Sequence, residues 1–313
     1  MRVAVAGGAG FLGTHLCERL LAAGDDVLCI DNFATATPRT VERLLEHPRY
    51  TFIEHDLTKT LLSPPPVDAI CNLASPASPP DYRRLAIETL LVNAEGARTL
   101  LDWADRDGAH YMVTSTSEVY GDPEMHPQRE EYWGHVNPVG ERSCYDEGKR
   151  YGEALATAYR TERGVDVRIA RLFNTYGPGM RPDDGRVISN FIVQALTGQP
   201  LTVYGNGQQT RSFCFVDDTV DGLVRLLKHP EANGAIVNIG NPDEYTIAQI
   251  ADRVVELLGG EIVMRPLPAD DPRQRCPDIT RARTLLGWSP STSLEVGLSA
   301  TVEHFRAVLA NGG

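Results

Sequence analysis

The chain has 313 residues, enough for two lobes around a sizeable core, and its 42% hydrophobic and 23% charged residues are those of an ordinary globular protein. Forty-two acidic against 30 basic residues leave a formal charge of −12, which argues against a nucleic-acid partner, because that needs a basic surface. No apolar run reaches membrane-spanning length, and the six cysteines (Cys17, Cys29, Cys71, Cys144, Cys214 and Cys276) form no CxxC pair and no zinc-ligand spacing with histidine.

The expectation from these features is a reduced cytoplasmic protein with no metal site, no membrane partner and no leader, since a strand begins almost at Met1. Arg2 to Ala6 is a short β-rich run, followed by the glycine-rich turn Gly7 to Gly13 and a helical pattern from Thr14 to Ala23. Val27 to Ile30 is a second strand ending at Asp31, and Thr40 to Glu46 a further helix. Thr51 to Glu54 and Ala69 to Leu73 are strands, Leu85 to Asp107 reads as one long helix, and Tyr111 to Thr114 as a fifth strand before the loop Ser115 to Gly121. The stretch Asp122 to Ser143 is rich in Pro, Gly, His and aromatics and reads as a long functional loop. Tyr145 to Arg163 is a helix and Val167 to Leu172 a sixth strand. The last third is less regular, with helices near Ile188 to Thr197, Val216 to Lys228 and Ile247 to Leu258, a strand Leu201 to Tyr204, and an irregular Pro266 to Pro277. Strands alternating with helices mean parallel βαβ units, so the fold class is α/β: a Rossmann-type doubly wound parallel sheet with a smaller C-terminal substrate lobe. The expected division is residues 1–172 for the cofactor, with 213–240 returning to them in part, and an interleaved 173–313 for the substrate.

Two motifs carry chemistry. Gly7, Gly10 and Gly13 follow a strand and open a helix, which permits close backbone approach to a pyrophosphate at a helix N-terminus. Asp31 ends the next strand, where a carboxylate accepts from an adenosine ribose and repels a 2′-phosphate; NAD is therefore favoured over NADP. Asp56 and Leu57 are placed to frame the adenine. Tyr145 and Lys149 stand four apart, on one face of a helix. A phenol titrates at ~10, and lowering it by ~3 units corresponds to ~4 kcal/mol, which a nearby ammonium and a cationic nicotinamide would supply. Thr116, Ser117 and Glu118 lie on a loop at the carboxyl end of a parallel strand, where ligands bind. A carboxylate at Glu118 suits proton shuttling or orientation of an acid.

The GxxGxxG spacing together with Tyr-x-x-x-Lys resembles the extended short-chain dehydrogenase/reductase superfamily, and Asn93 matches its structural asparagine. The strings Asn72–Pro80, Thr116–Gln128, Tyr132–Pro138, Arg142–Arg150, Ala170–Pro178, Asp184–Phe191, Leu201–Gly205, Gln209–Phe213 and Asp271–Asp278 resemble those of UDP-glucuronate decarboxylases over nearly the whole chain. The resemblance implies Tyr145 as base with Lys149 tuning it, Thr116 and Ser117 assisting, and Glu118 and Arg275 serving decarboxylation. It implies a UDP-sugar bound by Glu118, Asn174, Arg186, Tyr204, Arg211 and Arg275. The implied NAD set is Gly7, Gly10, Phe11, Leu12, Gly13, Asp31, Asn32, Asp56, Leu57, Leu73, Ser75, Tyr145, Lys149 and Thr175, in a homodimer. Three positions depart from the common pattern: Gly179 and Leu91 stand where relatives often carry arginine and lysine, and an arginine appears at Arg181 instead. Tyr-Gly-Pro-x-x-Arg-Pro also resembles UDP-glucuronate 4-epimerases, which leaves epimerisation as the alternative activity. A catalytically inactive NAD-binding regulator is the alternative of another class.

Overall fold

The structure, a computed structural model, describes residues 1–61, 63–266 and 273–310. Seven parallel strands form one sheet: β1 (Arg2–Ala6), β2 (Asp26–Asp31), β3 (Tyr50–Glu54), β4 (Ala69–Asn72), β5 (His110–Thr116), β6 (Val167–Leu172) and β7 (Ile236–Ile239). Their order is β7-β6-β5-β4-β1-β2-β3. The direction of winding reverses between β1 and β4, so the crevice at their carboxyl ends is where such a sheet binds ligand.

Alternation along β1 shows why both faces are covered. Val3 and Val5 join one core with Leu16 and Leu20 of helix Phe11–Ala22 and Val220 and Leu223 of helix Val216–Lys228. Ala4 and Ala6 point into the other, with Leu100, Leu101 and Trp103 of helix Ala97–Asp107 and Ala156 of helix Ser143–Arg163. Side chains buried on both faces are what a parallel sheet requires. A third core, separate from the sheet, gathers Ile188, Phe191, Leu201, Val203, Ile250, Val254, Leu298 and Phe305. Short pairings stitch this part together: Leu201–Tyr204 runs parallel to Ile262–Arg265, and Thr210–Ser212 antiparallel to Glu244–Thr246.

Several boundaries differ from the sequence reading. The expected helix Leu85 to Asp107 is three pieces, Ala86–Leu91, a π-helical turn Val92–Gly96 and Ala97–Asp107, preceded by Pro79–Arg84. The π turn coincides with Asn93, whose side-chain amide donates to the Thr89 carbonyl at 2.8 Å and to Ser75 Oγ at 2.9 Å. The expected loop after β5 is shorter: the strand continues to Thr116 and one 3₁₀ turn covers Ser117–Tyr120. Thr40 to Glu46 holds only the short helix Glu42–Leu45 after a 3₁₀ turn. The C-terminal part carries two helices that sequence reasoning passed over, Thr280–Leu286 and Leu294–Ala310. Of the segment expected to be irregular between Pro266 and Pro277, residues 267–272 lie outside the described residues.

The glycine turn is sterically committed. A Cβ on Gly13 would stand 2.1 Å from the Gly7 carbonyl oxygen and 2.6 Å from Gly8 Cα, and both are backbone atoms with nowhere to go. Gly7 has φ +74°, and a Cβ there would meet the Ala74 backbone nitrogen at 2.7 Å. We predict that Gly13→Ala costs about 1–3 kcal/mol of stability as an overpacked site and also weakens NAD binding, measured by thermal melts with and without NAD. An unchanged melting temperature in both conditions would contradict it.

Candidate active site

One cavity of about 820 Å³ opens along the carboxyl ends of the strands, from the glycine turn to the third core. Gly7, Gly10, Phe11, Leu12, Gly13, Leu73, Ser75, Thr116, Glu118, Tyr145, Lys149, Asn174, Thr175, Arg186, Tyr204, Arg211 and Arg275 all border it. Asp31, Asn32, Asp56, Leu57 and Ser117 do not. Ser117 is buried and stands in sequence between two residues that do border the cavity, Thr116 and Glu118. Asp31 is spent partly on the protein: its carboxylate accepts from Ala9 N at 3.0 Å and Phe33 N at 2.8 Å, and burial pushes its pKa up. Asp56 accepts from the amide and the hydroxyl of Thr58, and Leu57 is core, against Gly96.

The residues at the glycine end fit a dinucleotide. No side chain caps the N-terminus of helix Phe11–Ala22, so its first amides remain available to an anion. Gly7 and Gly13 let the turn pack tightly on its own backbone, and beside Gly10, where a Cβ would meet only the Gly7 carbonyl oxygen at 3.4 Å, space stays open for close backbone approach.

Tyr145 sits on the first turn of helix Ser143–Arg163, its ring stacked on Tyr82 at 5.2 Å with 12° between planes. Lys149 lies one turn on, with its ammonium 5.9 Å from the Tyr145 ring centroid and donating to the Thr114 carbonyl at 2.9 Å. The depressed phenol expected from sequence is not what the protein alone produces. Burial pushes Tyr145 up to about 12, against the lowering effects of the Thr116 hydroxyl and Arg186. Burial likewise brings Lys149 down to about 8, so the lysine is a weakened cation. A positive charge beside the ring, such as that of an oxidised nicotinamide, would favour the phenolate further.

The other half of the site is ionic. Glu118, on the 3₁₀ turn after β5, is gripped by two arginines: Arg142 Nη2 on one oxygen and Arg275 Nη1 on the other. Burial works against its charge, yet Arg275 and Arg142 together hold its carboxyl far below the usual carboxylate range. The opposing pull of Glu118 holds Arg142 above the ordinary guanidinium value. Arg275 is nearly fully buried, donates to the Gly121 carbonyl at 2.9 Å, and among the described residues its Nε has no partner. Glu118 is here an anion that accepts from both guanidiniums. Sequence reasoning missed Arg142 as a functional residue. Its signal was present: it precedes Tyr145 by three residues, close to one helical turn.

The three departures resolve differently. Leu91 is exposed and does not border the cavity. Gly179 does border it, at φ +90°, with its N–H donating to His304 Nε2 at 3.1 Å. Arg181 spans the cavity mouth: it pairs with Asp81 at 2.8 Å and donates to the Thr35 carbonyl in the segment after β2.

Fold and site together define a nucleotide-dependent enzyme of the short-chain dehydrogenase/reductase type. The chain belongs to the NAD dependent epimerase/dehydratase family, whose model matches residues 3–240. It is 50% identical over 310 residues to UDP-glucuronic acid decarboxylase 1 of Xenopus tropicalis, covering 98% of this chain and 73% of that protein. It is equally identical over 309 residues to UDP-glucuronic acid decarboxylase 5 of Arabidopsis thaliana, covering 98% and 89%. Among solved structures it resembles the UDP-glucuronic acid 4-epimerase of Bacillus cereus in complex with UDP-glucuronic acid and NAD, with a TM-score of 0.87, 30% identity, and 98% and 100% of the two chains covered.

Removing one partner of the buried cluster should be costly. Arg142→Ala is predicted to lose about 3 kcal/mol of stability, because half of a buried carboxylate is left unpaired, and Arg142→Lys less. Chemical denaturation of the NAD-loaded protein checks this; a loss under about 1 kcal/mol, the size of a surface pair, would contradict it.

Proposed function

We propose that this chain is an NAD-dependent UDP-glucuronate decarboxylase that forms UDP-xylose through a UDP-4-keto intermediate, some of which is released. The observation that carries the reading is a carboxylate locked between two guanidiniums, Glu118 with Arg142 and Arg275, in the same cavity as Tyr145. A base and a cofactor alone oxidise an alcohol; two cations beside them, Arg275 buried and Arg142 half-buried, suit a substrate carboxylate and the enolate it leaves behind. The relatives named as decarboxylases support the same substrate and reaction.

Gly7, Gly10, Phe11, Leu12 and Gly13 would hold the pyrophosphate of NAD, Asp31 a ribose hydroxyl, and Leu73, Ser75 and Thr175 the remainder of the cofactor. NAD, when bound, accepts the hydride from carbon 4 of the sugar and later returns it. Tyr145, as phenolate, takes the proton of the carbon-4 hydroxyl, with the Thr116 hydroxyl hydrogen-bonded to it as a relay. The resulting ketone is β to the carboxyl group on carbon 5, so carbon dioxide leaves and the electron pair passes into an enolate. Arg275 and Arg142 place positive charge where that pair accumulates. Ionised Glu118 fixes both guanidiniums and can hold a water toward carbon 5 for reprotonation. Tyr145 then returns its proton to the carbon-4 oxygen. Arg186 and Arg211 suit the diphosphate, Tyr204 offers an aromatic face to the base, and Asn174 a polar contact. The 4-epimerase reading rests on Arg181, but that side chain is engaged with Asp81 and Thr35, so decarboxylation is preferred.

The lobes follow from this: residues 1–172, joined by 213–240, carry NAD, and 173–313 hold the UDP-sugar. Entry of β7 into the large sheet and the separate third core support that division. A homodimer is supported by the exposed Ile87, Leu90 and Leu91 of helix Ala86–Leu91 and by Tyr151 of the helix packed against it. Six free, buried cysteines support a reducing cytoplasm. Among the described residues no helix is long and apolar enough to cross a membrane.

With UDP-glucuronate and NAD the protein should release carbon dioxide and yield UDP-xylose and UDP-4-keto-xylose by mass spectrometry. UDP-galacturonate without carbon dioxide would overturn the reading in favour of epimerisation. Tyr145→Phe should cut turnover by about 10³-fold with NAD affinity unchanged; undiminished turnover would remove Tyr145 as base.

A further inference from the structure

One buried carboxyl beside the active site has no part in the steps above. Asp146 follows the base in sequence and is nearly fully buried, yet among the described residues its Oδ1 has no hydrogen-bond partner. Its other oxygen stands 4.0 Å from Arg142 Nε, a guanidinium whose Nη2 is already committed to Glu118. Asp146 does not border the cavity, so it meets no substrate and acts only through its neighbours. The groups that face it are Glu118 from the 3₁₀ turn, Arg142, Cys144, Tyr145 and Glu147 from its own helix and its cap, Tyr82 from helix Pro79–Arg84, and Arg275 from the C-terminal part. Burial first, then the charge of Glu118, raise its pKa to about 7.

Charge counting gives this carboxyl a role. Glu118, Arg142 and Arg275 sum to +1. An ionised Asp146 brings the cluster to zero, and a neutral one leaves the positive charge for an incoming anion. We propose that Asp146 is the charge-balancing residue of the site, a positioning residue that takes up a proton from solvent when a ligand carboxylate arrives at Arg142 and Arg275 and gives it back once that carboxylate has left as carbon dioxide. The inference rests on the decarboxylase reading, since only a uronate brings the extra negative charge. Protons balance over the cycle: Asp146 takes one from solvent on substrate binding, and carbon 5 takes another from solvent by way of the water at Glu118 when the enolate collapses, the single proton that net loss of carbon dioxide consumes. The Asp146 proton leaves when the uncharged sugar remains. The site thereby favours the acid substrate over its decarboxylated product most strongly below the pKa of Asp146, and this preference fades as pH rises through it.

The test uses NAD-loaded Tyr145→Phe protein, whose turnover is reduced about 10³-fold, titrated calorimetrically in two buffers of different ionisation enthalpy. If ligand binding raises the Asp146 pKa by about one unit, UDP-glucuronate takes up about half a proton more than UDP-xylose near pH 7.5. Its dissociation constant then weakens about tenfold from pH 6 to pH 9. UDP-xylose is the control for Lys149 and for every group that senses only the nucleotide. Adding Asp146→Asn removes the difference in proton uptake and the pH dependence that goes with it, whereas Asp146→Glu restores both. Equal uptake with the two ligands, or a difference that survives Asp146→Asn, overturns the proposal while leaving the decarboxylase reading intact. Failure to bind UDP-glucuronate at any pH overturns both.

Discussion

Two guanidiniums share one buried carboxylate, and the rest of the site is arranged around that fact. Arg142 arrives from the cap of the Tyr145 helix, Glu118 from the end of β5, and Arg275 from the C-terminal part that closes over the sheet. Three segments distant in sequence are thus pinned at one point. A lone buried charge there would be costly, so each member requires the others. The base is fixed by the same arrangement, since Tyr145 and Arg142 belong to neighbouring turns of one helix and its cap. Oxidation chemistry and ionic chemistry are in this way held in register by the protein's own covalent structure.

The same frame explains why a common fold supports different outcomes. The switch point between β1 and β4, the glycine turn and the Tyr145–Lys149 pair prepare for oxidation of a sugar hydroxyl, whatever happens next. In the proposed function the ionic cluster decides what happens next. Its anion stays ionised, Arg275 is buried and Arg142 half-buried, an arrangement that suits the proposed electrostatic stabilisation of an enolate. Arg181, at the mouth, ties the segment after β2 to helix Pro79–Arg84 and stands apart from this cluster.

Much of this was legible in the chain. Apolar β-rich runs identified the first six strands, because strands buried on both faces carry little else, and the glycine spacing located the cofactor turn. What was not legible depends on contacts distant in sequence. The break at Asn93 arises because its amide reaches Ser75, 18 residues away. Helix Leu294–Ala310 has a clear buried stripe, Leu294, Leu298, Thr301, Val302 and Phe305, but Gly297 interrupts it. That glycine is explained only in three dimensions, where a Cβ would fall 2.1 Å from the Tyr176 hydroxyl. The pKa of Tyr145 could not be read from a four-residue spacing, because burial of both Tyr145 and Lys149 outweighs their proximity. Glu118 and Arg275 were legible as a pair through resemblance; that Arg142 completes them required the fold.

The central claim is that the Glu118 cluster serves carbon dioxide loss and the Tyr145 pair serves oxidation. Single-turnover measurement on NAD-loaded Glu118→Gln protein with UDP-glucuronate separates the two, following reduced-nicotinamide absorbance and carbon dioxide in the same sample. The account predicts that reduction proceeds while carbon dioxide release falls by at least about tenfold, the smallest change expected when a group worth ~1.4 kcal/mol or more is removed from that step alone. Carbon dioxide released at the unmodified rate, or both signals lost together, would contradict it.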